Sequence, residues 1–105
     1  MTIESVIAEG GREVAIRVDG RFDFSTHQEF RKAYTRVDPQ QAHYHIDLSH
    51  AEYIDSAALG MLLMLREKAG GEKARITISG CQGGVRQILE VSRFNQLFDI
   101  ESMRQ

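Results

Sequence analysis

The sequence has no tryptophan, one cysteine, one proline and no long apolar run. A lone Cys81 cannot form an internal disulfide, which fits a reducing cytoplasm. Cys81 also lacks an evident base or basic neighbour, so it reads as a buried or bystander thiol and not as a nucleophile. The longest apolar stretch, Ala57 to Leu65, is broken by Gly60 and falls far short of the roughly 20 residues a membrane span needs. No direct membrane insertion is expected. The first residues, MTIESVIAEGG, have neither a basic start nor a long apolar run, so no signal peptide is expected. Neither sign of charge dominates: 13 Lys and Arg face 15 Asp and Glu, for a formal net charge of -2. That balance excludes a nucleic-acid module driven by phosphate contacts. What remains is 42% hydrophobic and 27% charged over 105 residues. This is the make-up of one soluble globular domain spanning residues 1–105, without repeat, linker or low-complexity segment.

The hydrophobic period changes along the chain. Ile3, Ser5 and Ile7 alternate with their neighbours, and after Gly10-Gly11 so do Val14, Ile16 and Val18; this predicts a β-hairpin whose second strand ends at Gly20. Phe30, Ala33, Tyr34 and Val37 form one helical stripe. Ser25 with Gln28, or Thr26 with Glu29, has capping-box spacing at its start, and Pro39 is expected to stop it. Tyr44, Ile46 and Leu48 predict a third strand. Ser56 to Lys68 predicts a second helix, closed by Gly70-Gly71. Its first half is apolar almost all round, so deep packing is expected. Ile76 and Ile78 mark a fourth strand. Val85, Ile88 and Leu89 mark a third helix, and Phe94, Leu97 and Phe98 a short final turn. A fifth strand fits near Phe98 to Glu101. The order β-β-α-β-α-β-α predicts an α/β fold: a mixed, partly parallel sheet of four to five strands with three or more helices packed on it.

Several catalytic readings fail. His43, His45 and His50 invite zinc, and the first two would share one strand face. No cysteine cluster or second ligand pair accompanies them, so solvent-facing histidines are expected and no metal or cofactor is assigned. Gly80 to Gly84 lacks the Lys-Ser/Thr of a nucleotide-binding loop. No Gly-x-Ser-x-Gly elbow or Ser-His-Asp set is present, so no catalytic residue is assigned and no enzyme is expected.

The informative stretch is Asp55-Ser56-Ala57-Ala58-Leu59-Gly60, where a loop after the third strand opens a helix. Ser56 stands at the N-cap or first helical position. Unpaired amides and the helix dipole favour negative charge there. Serine is also an ordinary cap, and on physical grounds alone a cap outweighs a switch by about four to one.

A resemblance shifts that balance. Asp55-Ser56-Ala57-Ala58-Leu59-Gly60, preceded by Tyr53-Ile54, resembles the Asp-Ser-Ser-Gly-Leu-Gly-like motif of the STAS family, specifically its anti-sigma factor antagonists. Gly20-Arg21-Phe22-Asp23 resembles that family's Gly-x-x-Asp, and Gly80 with Val85 to Leu89 its later segment. The element order matches over nearly the whole chain. The resemblance implies a phosphorylation-controlled partner switch. The unmodified form binds an anti-sigma factor that is also a serine kinase, phosphorylation of Ser56 releases it, and a PP2C-type phosphatase restores it. Ala57 and Ala58 replace the family's usual Ser-Gly, leaving Ser56 as the sole motif phosphoacceptor. The variant also resembles a branch attached to motility and biofilm switches, implying a flagellar anti-sigma factor or a diguanylate cyclase as partner. The expected switch surface comprises Asp23, Phe24, Tyr53, Asp55, Ser56, Ala57 and Met61. Met64 belongs with Met61, and for both a core position outweighs an interface by about two to one. The rivals are a STAS accessory subunit docked constitutively on the ATPase of a lipid ABC transporter, and a small hydrolase or nucleotide-binding enzyme.

Overall fold

The structure is a computed structural model, and it describes residues 3–104. β1 (Ile3–Ala8) and β2 (Glu13–Val18) form the expected antiparallel hairpin, with Ile3 opposite Val18. Its turn needs two successive left-handed residues, which Gly10 and Gly11 supply at φ 65° and 91°. β4 (His43–Asp47), β6 (Arg75–Ser79) and β7 (Asp99–Ile100) add in parallel beyond β2, giving the order β1-β2-β4-β6-β7.

Period two sets the two faces of this sheet. Val14, Ile16, Val18, Tyr44, Ile46, Ile76 and Ile78 are all buried and form the core layer. Glu13, Ala15, Arg17, His43, His45, Asp47 and Arg75 alternate with them, and none of these is buried. The helices are α1 (His27–Tyr34), α2 (Ser56–Lys68) and α3 (Gly83–Val91). Each closes the core with a stripe: Phe30, Ala33 and Tyr34 from α1; Ala58, Met61, Leu62 and Leu65 from α2; Val85 and Leu89 from α3.

Two further short strands were not anticipated. β3 (Gly20–Phe22) and β5 (Ala51–Ile54) pair in parallel as a separate two-stranded sheet. Gly20 therefore opens a strand and does not close β2, which ends at Val18. Leu48 lies just beyond β4, though it is fully buried.

The ends of α1 also differ from expectation. Neither capping box forms. Asp23 instead caps a short 3-10 turn, Phe24–Thr26, that leads into the helix, and Thr26 makes no side-chain cap. The helix stops at Tyr34, before Val37 and Pro39. Its last carbonyl is taken by the Tyr44 hydroxyl, which donates to Tyr34 O at 2.6 Å. This bond removes the need for a proline stop. α2 has the expected bounds, but its first half is not buried all round: Ser56 and Gly60 are exposed, and Ala57 and Leu59 are only half-buried. The Phe98 region does return as β7.

A chain of rings joins β3, α1 and β4. Phe22 meets Phe30 at 5.2 Å, Phe30 meets Tyr34 at 5.6 Å, and Tyr34 meets Tyr44 at 6.4 Å between centroids. Burial first, then the neighbouring Tyr34 and Asp38, pushes the Tyr44 phenol up to about 12. In an unfolded chain it titrates near 10. The unfolded form then releases the proton more readily, so stability held below pH ~10 is lost as pH rises toward about 12. Tyr44→Phe should cost about 1–2 kcal/mol at neutral pH by stranding the Tyr34 carbonyl, lowering the melting temperature by about 5–10 °C. Its alkaline decline should be shallower than wild type. A pH series of melting curves checks both; a parallel alkaline decline contradicts this account of Tyr44.

Candidate functional site

The site is built around the start of α2. β5 ends at Ile54, and Asp55 N donates to Phe22 O at 3.4 Å, so the small parallel pair fixes where the helix begins. Asp55 is the N-cap: its backbone is extended and its Oδ1 accepts from Ala58 N at 2.9 Å. Ser56 is the first helical residue and is exposed. At that position the amides of Ser56 and Ala57 have no carbonyl of their own helix to reach. Cap and candidate phosphoacceptor are therefore different residues. The serine hydroxyl is not needed to start the helix.

Beside this helix start runs a groove of about 460 Å³ between α1 and α2. Phe24, His27, Arg31 and Tyr34 line one wall, and Ala57, Gly60, Met61, Met64 and Lys68 the other. It begins one residue after Ser56. Phe24 is 71% exposed and Met64 53%, so two large apolar side chains stand in solvent at its lips. Gly60 keeps the wall open, since a Cβ there would meet nothing within 4 Å. Arg31 and Lys68 supply positive charge, and among the described residues no acidic side chain lines the groove.

The expected switch residues do not all stand together. Asp55, Ser56 and Ala57 stand together at the helix start, and Phe24 stands on the groove's other wall. Tyr53 is exposed beside them on β5, with the Arg21 guanidinium 4.0 Å above its ring. Asp23 has a positioning role. Its carboxylate accepts from Ser25 N at 3.0 Å, from Ser25 Oγ at 2.5 Å and from Arg21 Nε at 3.1 Å. These bonds, that to Ser25 foremost, hold its carboxyl below the usual range. The turn so fixed presents Phe24 outward. Met61, placed on the switch surface but favoured as core, is 7% exposed and belongs to the core while also lining the groove, whereas Met64, favoured as core too, is 53% exposed.

Sequence reasoning missed His27, Arg31, Tyr34 and Lys68. The signal was available only as helical spacing, because His27, Arg31 and Tyr34 recur at i, i+4 and i+7 on α1. The other single candidates fare as follows. Cys81 is buried, with Ser102 Oγ 3.5 Å from its sulfur. His50 is exposed and its Nδ1 lies 3.1 Å from Ser49 Oγ. His43 and His45 are half-buried on the uncovered face of the sheet, and Glu13 joins them there. Burial holds the His43 imidazole below its ordinary range. Among the described residues, no helix is long and apolar enough to cross a membrane.

Comparison with known proteins gives three findings. The family model described as "Mlab, STAS domain" matches residues 5–101. A STAS-domain-containing protein of Pseudomonas aeruginosa strain UCBPP-PA14 is 50% identical over 100 residues, covering 95% of this chain and 99% of its own length. Among solved structures, an anti-sigma factor antagonist from Mycobacterium paratuberculosis superposes with a TM-score of 0.72 at 20% identity, over 93% of this chain and 84% of its own. The Bacillus cell fate determinant SpoIIAA in its phosphorylated form superposes with a TM-score of 0.65 at 13% identity, over 96% and 92%.

Proposed function

The chain belongs to the STAS domain family, and from that premise we propose that it is an anti-sigma factor antagonist, a non-catalytic regulator whose binding is switched by phosphorylation of Ser56. The observation that carries this reading is the division of labour at the start of α2. Asp55 does the capping, which leaves Ser56 exposed, free of a structural duty and at the head of an apolar groove. Its structural neighbours include an anti-sigma factor antagonist and a phosphorylated protein of this fold.

The partner face is the groove with Ser56 at its head. Phe24, Met64 and Tyr53 supply apolar contact, and Arg31 and Lys68 favour a partner segment with acidic residues. Unmodified Ser56 can be covered by such a partner for one hydrogen bond. A phosphate adds a charge of roughly -1.5 to -2 beside Asp55, against a partner surface that is itself apolar or acidic. The complex then opens. On this reading the partner is an anti-sigma factor with serine kinase activity, and a PP2C-type phosphatase resets the switch. A flagellar anti-sigma factor or a diguanylate cyclase is the regulated protein in a motility or biofilm pathway.

The test is capture from native lysate with wild type, Ser56→Ala and Ser56→Asp as baits, read by mass spectrometry. Ser56→Ala should retain a regulatory partner, and Ser56→Asp should lose at least about nine-tenths of it, the effect of roughly 1.4 kcal/mol. If both variants hold the same transporter ATPase equally, the switch is wrong and the accessory-subunit reading replaces it.

A further inference from the structure

At the opening edge of the parallel strands, away from the groove, three ligand-type side chains converge on the uncovered face of the sheet. Parallel pairing sets Glu13 of β2 opposite His43 of β4, and period two puts His45 on the same face as His43. The carboxylate reaches both rings. Glu13 Oε1 lies 2.7 Å from His45 Nε2 and 3.6 Å from His43 Nδ1, and the ring centroids are 4.0 Å apart. One ligand atom from each residue falls within 4.8 Å of the others.

A hydrogen bond behind this cluster turns His43. Its Nε2 lies 3.0 Å from Thr77 Oγ1, which leaves Nδ1 as the ring nitrogen facing the Glu13 carboxylate. A hydrogen-bonded far nitrogen is the kind of outer support that orients metal-binding histidines. We propose that Glu13 Oε1, His43 Nδ1 and His45 Nε2 form a three-ligand site for a borderline divalent transition metal, zinc first among them, with a water in the open fourth position.

The donor set selects the ion. Two imidazoles and one carboxylate suit zinc, nickel or copper and do not suit calcium or magnesium, which want oxygen cages. Zinc–ligand distances of about 2.0–2.2 Å put ligands roughly 3.4 Å apart, so the Glu13–His43 spacing already fits. The Glu13–His45 contact must open slightly as its hydrogen bond is exchanged for metal. All three side chains are partly exposed and have room to make that adjustment. Arg75 stands opposite His43 in the register, and its charge limits affinity. The site would clip β2 to β4 at the end of the strands remote from Ser56, independently of the partner switch.

The test uses the full, tag-free chain in a non-chelating buffer. Zinc titration by calorimetry should show one site per chain with a dissociation constant on the order of 10 µM. Saturating zinc should raise the melting temperature by several degrees relative to chelator. Glu13→Gln and His45→Asn should each weaken binding at least about tenfold, while His50→Asn should not. In the wild-type protein, ring-nitrogen resonances should show metal on Nδ1 of His43 and Nε2 of His45, a readout that does not depend on any variant folding. Absence of heat and of any thermal shift at millimolar zinc overturns the proposal. So does undiminished binding by Glu13→Gln and His45→Asn, or metal found on other nitrogens.

Discussion

Gly80→Ala should lower the melting temperature by about 15 °C, the equivalent of roughly 3 kcal/mol in a domain of this size. Gly80 follows β6 at φ 75°, a left-handed conformation that costs any residue with a Cβ about 1–2 kcal/mol. The added methyl would also have no space. It would stand 2.7 Å from Ser49 Cβ, 2.8 Å from Ser49 N and 2.9 Å from Ser49 Cα. Two of these three atoms are backbone, and the Ser49 backbone is pinned. Its N–H donates to Asp47 Oδ1 at 2.9 Å, its carbonyl accepts from Gln82 Nε2, and the preceding Leu48 N–H donates to Ser79 O at 2.8 Å. The conformational and packing costs therefore add. Gly60→Ala is the matched control: it is mid-helix with nothing within 4 Å of its Cβ, so it should gain up to about 1 kcal/mol. Thermal melting of the pair checks the account. A Gly80→Ala loss below about 4 °C would mean that the β4–β5 crossing is free to move.

That crossing also explains why part of the fold was hidden in the sequence. Strands with strict alternation were legible: Val14, Ile16 and Val18 face inward as their period requires. β5 reads Ala51-Glu52-Tyr53-Ile54, with buried residues at both ends and exposed ones between, so it carries no period-two signal. β3 has three residues and a register irregularity after Gly20. Both exist because each completes the other, and such pairing across about thirty residues leaves no local pattern. The start of α1 was misread for a related reason. Ser25 and Thr26 had the right spacing for caps, but Asp23 sits two residues before Ser25 and wins its amide and hydroxyl together. A charged acceptor beats a neutral one for the same donors.

The candidate site was legible where it was local and opaque where it was tertiary. Asp55 and Ser56 could be placed at a helix start from their own neighbours. The groove could not be foreseen, because it exists only where α1 lies beside α2. Met61 and Met64 are three residues apart, yet one is core and the other solvent-exposed, a difference that helical spacing alone does not assign. Glu13 was invisible as a partner of His43 for the same reason: only the parallel register joins residues thirty positions apart.

Phosphorylation of Ser56 should cut partner affinity more than about 100-fold while shifting the melting temperature by less than about 4 °C. The two effects separate because the helix start and the partner treat the same charge differently. Within the protein, the phosphate stands on the first helical residue, where free amides and the dipole stabilise an anion by about 0.3–1 kcal/mol. Repulsion from the Asp55 carboxylate, in water at several ångströms, costs about 1 kcal/mol. These nearly cancel. In the complex the phosphate would be covered by a surface without matching cations, and stranding a charge there costs about 3–5 kcal/mol. Asp55→Asn separates the contributions further. Asparagine caps as well as aspartate, so the unmodified variant should melt like wild type. Once phosphorylated, it should melt higher than the phosphorylated wild type, yet still lose the partner. Melting curves and affinities of the four forms, measured against the partner captured by Ser56→Ala, test this directly. If phosphorylation instead lowers the melting temperature by more than about 10 °C, and the affinity loss follows that decline, the switch works by loosening α2 and not by excluding a buried charge.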